Sequence, residues 1–127
     1  MERNWSKNDI IELYNKPLVE LLYEAATAHR KYHDPREVQV STLLSIKTGG
    51  CPEDCGYCPQ AARYHTDIEK NDLLSIDEVK SAAIEAQNSG SSRLCMGAAW
   101  RNVKDDAEFD QVLEMVRTVN DLGLEVC

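Results

Sequence analysis

Two kinds of hydrophobic alternation, one typical of strands and one of helices, follow each other along the chain and constrain its fold more than any other feature. Residues 38–47 alternate with the period of two that indicates a strand with one apolar face. Apolar stripes at helical spacing occupy residues 75–90 and 109–123, and short strand patterns follow them at 93–97 and 124–127. Ser75 and Glu78 form a capping-box pattern at the start of the first helix, the acidic run at residues 105–108, which includes Asp106, is typical of a solvated start of the second, and Gly123 is a plausible C-cap. The first stripe consists of Ile76, Val79, Ala83 and Ala86, and the second of Phe109, Val112, Leu113, Val116 and Val119. Strands that alternate with amphipathic helices predict an α/β fold with parallel strands joined by crossover helices.

Two helices are predicted before the first strand. Ser6 with Asp9 is typical of a helix start, and Pro17 suits the first turn of a second helix, which the dipeptide Asp34-Pro35 ends. The second helix carries an apolar stripe that His29 continues, and this stripe is expected to face a core.

The predicted order is helix, helix, then β, α, β, α, β in one incomplete domain, residues 1–127. We expect residues 1–35 to form the N-terminal helices, and residues 36–127 to form the first three strands with two crossover helices. The last strand stops at its first apolar pair, Leu124 and Val126, and a domain rarely ends in mid-strand. The chain is therefore expected to be the N-terminal part of a longer protein.

Charge and hydropathy narrow the class of protein. Lys and Arg total 14 and Asp and Glu total 22, which gives a net charge of −8. An acidic chain repels phosphate, so nucleic acid is not an expected partner. A membrane is not expected either, since no apolar run approaches the roughly 18 residues of a spanning helix. Residues 1–14 lack the apolar segment of a targeting signal, so we expect a cytoplasmic protein with reduced thiols.

Three of the five cysteines lie in one short segment, with the spacing C-x3-C-x2-C at Cys51, Cys55 and Cys58. Thiolates are soft ligands that suit iron–sulfur clusters and zinc. A [4Fe–4S] cluster held entirely by protein uses four cysteines. Three cysteines leave one iron open for a ligand that is not protein, and this arrangement predicts a catalytic cluster.

Other interpretations of these residues stay open. A structural zinc site can take His65 as its fourth ligand, although such sites usually use two C-x2-C pairs, and only Cys55 and Cys58 have that spacing. A disulfide within the loop is disfavoured in a reducing compartment. His29 and His33 have a metal-binding spacing on a predicted helix, for which a packing or helix-end role is the simpler explanation.

The cysteine motif resembles the signature of radical S-adenosylmethionine enzymes, C-x3-C-x-aromatic-C, placed just after the first strand of a β/α chain. Within that superfamily, residues 38–64, 95–102 and 123–127 closely resemble the biotin synthase family. The resemblance covers nearly the whole chain and about the first third of a full-length enzyme. It implies that the fold is the N-terminal portion of a TIM-type (β/α) barrel preceded by two helices.

The resemblance also implies cofactors. Cys51, Cys55 and Cys58 match the ligands of a [4Fe–4S] cluster that binds S-adenosylmethionine through its open iron. Tyr57 matches the aromatic residue that flanks the adenine side of that cofactor.

Two more contacts are expected near the ends of the strands. The turn at Gly97 and Ala98 matches the family's contact with the methionine part of S-adenosylmethionine, and small residues let a ligand approach the backbone. A plain tight turn is the alternative. Lys47 ends the mixed face of the first strand, and we expect it to bind substrate.

Cys95 and Cys127 match two ligands of a second cluster, a [2Fe–2S] centre, in the same family. The side-chain alternation supports a shared site independently, because Cys95 lies opposite the apolar side chain of Leu94 and Cys127 lies opposite that of Val126. Both cysteines therefore share the less apolar face of successive strands. Taken singly, each is equally explained as a small buried residue.

The activity that the resemblance implies is the conversion of dethiobiotin to biotin. One electron from a flavodoxin-type donor cleaves S-adenosylmethionine, the resulting 5′-deoxyadenosyl radical takes hydrogen from dethiobiotin, and the [2Fe–2S] centre supplies sulfur. A homodimer is expected for the full-length protein, and a fragment alone is expected to be inactive. The alternatives are another enzyme that resembles biotin synthase and, from a different class, a small iron–sulfur or zinc-binding module. Lipoyl synthases are disfavoured because no cysteine precedes Cys51.

Overall fold

A computed structural model describes residues 4–127 of the chain. The chain divides into two compact units, Met1–Val38 and Gln39–Cys127. The first unit contains helix α1, Lys7–Tyr14, and helix α2, Leu18–Tyr32.

The two predicted helix starts of the first unit are confirmed. The Ser6 hydroxyl accepts a hydrogen bond from the Asp9 amide (3.2 Å), and the Asp9 carboxylate accepts one from the Ser6 amide (2.8 Å). This reciprocal capping box satisfies two amides that the first turn leaves without helical partners. Pro17 immediately precedes the first residue of α2.

The prediction that α2 presents a core-facing stripe is wrong for this structure. Leu18 is 69% exposed and Leu22 is 60% exposed, and neither described helix of this unit contains a buried residue. Two short helices offer each other too little surface to enclose a stripe. The helix-end role of the histidines is confirmed, because the His33 amide donates to the His29 carbonyl (2.8 Å) and their rings stack.

The second unit has the predicted alternation of strands and helices. Strand β1, Ser41–Lys47, pairs in parallel with β2, Arg93–Ala98, which pairs in parallel with β3, Glu125–Val126. Helix α3, Ile76–Asn88, and helix α4, Ala107–Asp121, form the two crossovers. The prediction began β1 three residues too early, because the ladder with β2 begins at Ser41, the register partner of Arg93. Before it, the Val40 carbonyl still accepts from the Ser92 (2.9 Å) and Arg93 (3.2 Å) amides, but Val38 and Gln39 lie outside the ladder.

Both crossover helices pack on one face of the sheet. The side chains of this core come from all three strand regions and both helices: Ile46, Val79, Ala83, Ala86, Leu94, Met115, Val119 and Leu124. The predicted stripe of α3 is confirmed. The stripe of α4 is partly wrong, because Leu113 is 37% exposed while Met115 is fully buried. Met115 is three residues after Val112 and four before Val119, so it shares their face of the helix.

The predicted ends of these helices are also confirmed. Ser75 and Glu78 form a second capping box, and the Asp106 carboxylate caps α4 by accepting from the Phe109 amide (3.2 Å). Gly123 follows α4 with φ +85°, a backbone conformation that favours glycine.

The other face of the sheet is open within the described residues. Ser41, Leu43 and Ser45 are exposed on β1, and Leu43 is 81% exposed. The second unit is therefore an open three-stranded parallel sheet with helices on one face, and a closed barrel is not present in it. Among the described helices, none has the length and apolar character needed to span a membrane.

Candidate metal centre

The loop that carries Cys51, Cys55 and Cys58 begins just beyond the carboxyl end of β1 and is held closed at its base. The Cys51 amide donates to the Gln60 carbonyl (2.9 Å), and the Cys51 carbonyl accepts from the Ala62 amide (2.8 Å). The Gln60 side-chain carbonyl accepts from the Gly49 amide (3.0 Å). These bonds fix both ends of the loop against each other, so the cysteines are carried on a closed turn and not on a free segment.

Gly49 is required by the geometry of this entry into the loop. Its φ is +72°, and a Cβ atom there would lie 3.0 Å from the Glu69 carbonyl oxygen and 3.1 Å from the Lys70 Cα. Backbone atoms cannot move aside as the end of a long side chain can. The Gly49-Gly50 pair that ends the predicted strand therefore serves to bring the chain past residues 69–70 and into the cysteine loop.

Inside the loop, backbone turns set the spacing of the three thiols. The Cys58 amide donates to the Cys55 carbonyl (3.1 Å), and the Ala61 amide donates to the Cys58 carbonyl (3.3 Å). All three cysteines are free thiols; Cys51 is buried, and Cys55 and Cys58 are half-buried. Partly enclosed thiols on a pinned loop are suited to hold a metal cluster away from bulk solvent.

Within residues 4–127, no three His, Cys, Asp or Glu side chains converge on a point where they could hold one metal ion. In a [4Fe–4S] cluster each thiolate binds a different iron atom, so such a cluster does not require its ligands to meet at one point. The donor set, three free thiols on one short loop, fits such a cluster in its chemistry.

Two ion pairs anchor the acidic side chains that lie between the cysteines. Asp54 pairs with Arg63 (2.5 Å), and Glu53 pairs with Arg101 (3.3 Å), which lies after β2. The hydrogen bond from Arg63 to the Tyr64 hydroxyl, together with Asp54, holds the pKa of the Arg63 guanidinium above its ordinary value. The Glu53 pair connects the cysteine loop to the segment that follows Gly97 and Ala98.

A groove of about 390 Å³ lies on the open face of the sheet, beside the cysteine loop. It brings together Gln60 from the loop, Gly97 and Ala98 from the end of β2, and the two remaining cysteines, Cys95 and Cys127. No atom lies within 4 Å of the position that a Cβ of Gly97 would occupy. The turn predicted to approach a cofactor therefore has free space in front of it.

Cys95 and Cys127 lie next to each other on adjacent strands, on the face that their alternation predicts. They are 32 residues apart in sequence and 4.6 Å apart between Cα atoms, and they form a disulfide in the structure. Two cysteines whose Cα atoms are this close can form a disulfide, and when reduced they can both bind one small cluster. Their role as cluster ligands stays a prediction.

The structure places Tyr57 and Lys47 in contrasting environments. Tyr57 is 92% exposed on the loop, free to lie against a ligand. The ammonium of Lys47 pairs with Glu108 of α4 (2.7 Å) and lies 5.3 Å from the centre of the Trp100 ring. A register shift between Ser45 and Lys47 alters the alternation at the end of β1. Lys47 does not line the groove, and its expected contact with substrate stays a prediction.

Sequence reasoning missed three residues that shape this region, namely Gln60, Arg101 and Glu108. Each acts on a residue far along the chain, across separations of 11, 48 and 61 residues. The one sequence feature that could have identified Gln60 is its position in the loop, two residues after Cys58. Nothing in local spacing pointed to Arg101 or Glu108.

No protein-family model matches the chain. Its sequence is nevertheless similar to curated proteins over its whole length. It is 75% identical over 127 residues to the biotin synthase of Flavobacterium psychrophilum and 70% identical over 127 residues to that of Christiangramia forsetii, and it spans 35% of each. It is 52% identical over 124 residues to the biotin synthase of Nostoc punctiforme, which is 98% of this chain and 37% of that protein. The chain is thus similar along its entire length to biotin synthases, and it spans about a third of the length of the relatives it matches.

Proposed function

We propose that this chain is the N-terminal part of a radical S-adenosylmethionine enzyme that converts dethiobiotin to biotin. The observation that carries the proposal is the groove on the open sheet face. One wall holds Gln60 of the three-thiol loop, and the floor holds the Cys95–Cys127 pair. The Cys95–Cys127 pair and one residue of the three-thiol loop thus border one space, which reaches the carboxyl end of β2, and β/α folds place their active sites at the carboxyl ends of parallel strands. High identity to biotin synthases over the full chain favours the same activity.

Cys51, Cys55 and Cys58 would hold a [4Fe–4S] cluster as thiolates. When bound, this cluster with S-adenosylmethionine supplies one-electron cleavage of the cofactor and a 5′-deoxyadenosyl radical that takes hydrogen from dethiobiotin. The loop contributes rigidity, because the Cys51 backbone is bonded on both sides to residues 60–62. Its three thiols leave one position for the amino and carboxylate groups of the methionine part.

Gly97, Ala98 and Tyr57 would receive the rest of S-adenosylmethionine. The open space at Gly97 leaves the β2 edge accessible to the methionine part of the cofactor. Tyr57 presents an exposed ring for the adenine side, where stacking on an aromatic face is favourable. These residues bind and orient the cofactor and exclude water from it.

Cys95 and Cys127 would hold a [2Fe–2S] cluster, the source of sulfur, together with ligands outside this chain. Both cysteines would bind iron as thiolates, in the reduced state expected of a cytoplasmic protein. Their Cα atoms are only 4.6 Å apart, so both sulfurs can reach the same cluster.

The remaining parts of the proposal concern the full-length protein. The open face of the sheet would be closed by further β/α units into a TIM-type barrel, and the enzyme would be a cytoplasmic homodimer served by a flavodoxin-type donor. Lys47 would reach dethiobiotin only by leaving Glu108. The chain alone would be inactive because most substrate contacts lie outside it.

The test uses a full-length chimera in which residues 1–127 replace the corresponding segment of the Flavobacterium psychrophilum biotin synthase. After anaerobic reconstitution, the chimera should release 5′-deoxyadenosine from S-adenosylmethionine and form biotin from dethiobiotin. The Cys55→Ser variant should lose both activities, whereas Glu114→Gln, which alters an exposed ion pair with Arg117 on α4, should keep them. Biotin formation by Cys55→Ser, or a chimera that holds zinc in place of iron and sulfide, would contradict the proposal.

A further inference from the structure

We propose that Glu125 is a positioning residue that sets the approach of Cys95 and Cys127 by fixing the register of β3 on β2. The proposal concerns the geometry of the two sulfurs; its consequence for a [2Fe–2S] cluster rests on the proposed function. Glu125 lies two residues before Cys127, and its partner Arg93 lies two residues before Cys95, so the charged pair is one pleat away from the cysteine pair on the same face.

Glu125 collects three donors on a single carboxylate oxygen. Arg93 donates to Glu125 Oε2 from Nε (3.0 Å) and from Nη2 (2.7 Å). Gln39, which precedes β1, donates to the same oxygen from Nε2 (2.7 Å). Side chains associated with all three strand regions therefore meet at one atom of β3.

The backbone hydrogen bonds of β3 alone hold its register on β2 only weakly. The strand is two residues long, and three backbone bonds flank it: Glu125 to Ser92 (3.0 Å), Cys127 to Leu94 (3.1 Å) and Met96 to Cys127 (2.7 Å). A strand this short is only marginally held by its ladder, and cross-strand side-chain pairs then decide which register is populated.

A wrong register would separate the sulfurs. Because side chains alternate with a period of two, a slip of one residue would turn Cys127 toward the helices and bring Val126 to the open face. An isolated exposed ion pair contributes little, and the Arg93 and Glu125 side chains are 35% and 60% exposed. The forked contact and the third donor from Gln39 are what make this pair specific for one register.

The first readout tests the geometry without any cluster. In the reduced, cluster-free full-length chimera, dibromobimane alkylates both thiols of a close pair, and mass spectrometry identifies the linked Cys95 and Cys127 peptides. Glu125→Leu should slow this cross-link about fivefold, the factor expected for loss of a cross-strand pair. The charge swap Arg93→Glu with Glu125→Arg should restore the rate to within about twofold, and Glu114→Gln should leave it unchanged.

An unchanged rate in Glu125→Leu, or a slow rate that the charge swap does not restore, would overturn the proposal. If Glu125→Leu does not fold, Gln39→Leu replaces it, since it removes one of the three donors without removing the charge pair. Gln39→Leu should slow the cross-link about twofold, and an unchanged rate there would equally overturn the proposal.

The second readout separates this proposal from the proposed function. After reconstitution, Mössbauer spectra should show less [2Fe–2S] signal in Glu125→Leu and an unchanged [4Fe–4S] signal, which a general loss of folding would not produce. A parent chimera without any [2Fe–2S] signal would contradict the proposed function and leave the cross-linking result intact. A parent with full [2Fe–2S] signal and a Glu125→Leu variant with the same signal and cross-linking rate would contradict the positioning role alone.

Discussion

Gly97 occupies a position where the fold itself does not demand a glycine. Its φ is outside the left-handed region, and a Cβ there would meet no atom within 4 Å. Gly49 is the opposite case, since a Cβ at that position would collide with the backbone of residues 69–70. Under the proposed function, the methionine part of S-adenosylmethionine is expected to approach this glycine.

Replacing Gly97 therefore separates binding from stability. Gly97→Val in the full-length chimera should weaken S-adenosylmethionine binding about tenfold or more, because the added methyl groups fill the space in front of the strand end. The free energy of unfolding should change by less than about 0.5 kcal/mol. Equilibrium dialysis with labelled cofactor and urea unfolding measure the two effects.

Gly49→Ala is the control, and its main effect is expected on the free energy of unfolding. The alanine side chain would be held at φ +72° and would contact backbone atoms, so the substitution should lower the free energy of unfolding by more than about 1 kcal/mol. Unaltered cofactor binding by Gly97→Val would show that the open space at β2 is not part of the cofactor site.

Residue chemistry was predictable from the sequence where it was local. The three thiols of the loop share one short spacing, and Cys95 and Cys127 share a strand face by simple alternation. The partner of Lys47 was not predictable, because it depends on a register shift in β1 and on Glu108, which is 61 residues away. Pairing between distant loops leaves no periodic signal in a sequence.

Helix α3 is the element whose structure follows most directly from its sequence. Its capping box at Ser75 and Glu78 and its buried stripe were both predicted. Hydrogen bonds from the Ser75 hydroxyl and amide hold the pKa of the Glu78 carboxyl below its ordinary value. The lowered pKa means that the folded protein favours the ionised form.

This pKa gives the helix a defined pH dependence. The contribution of ionised Glu78 is fully present above its unfolded pKa, near 4.5, and is lost as the pH falls through the lower folded value. Glu78→Gln keeps an acceptor for the capping box and removes the titration. In urea unfolding at about pH 7 and about pH 4, stability should fall less on acidification in Glu78→Gln than in the parent. An equal fall in both proteins would exclude Glu78 as a contributor.

Other elements show the limits of local pattern. The start of β1 depends on where β2 begins, and the exposed stripe of α2 depends on how much neighbouring surface is available to cover it. On α4, Met115 is buried and Leu113 is not. Both residues are apolar, and their spacing along the helix does not decide which of the two faces the core. Each of these features is decided by tertiary contacts.

At the scale of the molecule, the second unit is a sheet with one covered face and one open face. Leu43 is 81% exposed at its centre, opposite Cys95 in the register. The relatives are about three times as long as this chain, which spans 35% of their length. Under the proposed function, we expect further β/α units of the full-length protein to close the sheet and bury Leu43 beside the cysteine pair.

The effect of a substitution at Leu43 on stability therefore tests whether the open face of the sheet is covered in the full-length protein. In the full-length chimera, Leu43→Asn should lower the free energy of unfolding by about 2 kcal/mol or more, because it places an unpaired amide in an enclosed space. Val103→Asn, at a 54% exposed position in the loop after β2, should change it by less than about 0.5 kcal/mol. Equal effects of the two substitutions, measured by chemical unfolding, would show that the open face remains open in the full-length protein.

The central claim is that one chain supplies two separate sets of cluster ligands, and Mössbauer spectroscopy of the reconstituted full-length chimera tests it most directly. The account predicts both [4Fe–4S] and [2Fe–2S] signals in the parent, loss of only the [4Fe–4S] signal in Cys55→Ala, and loss of only the [2Fe–2S] signal in Cys95→Ala. A [4Fe–4S] signal that persists in Cys55→Ala, or a [2Fe–2S] signal that persists in Cys95→Ala, would contradict it.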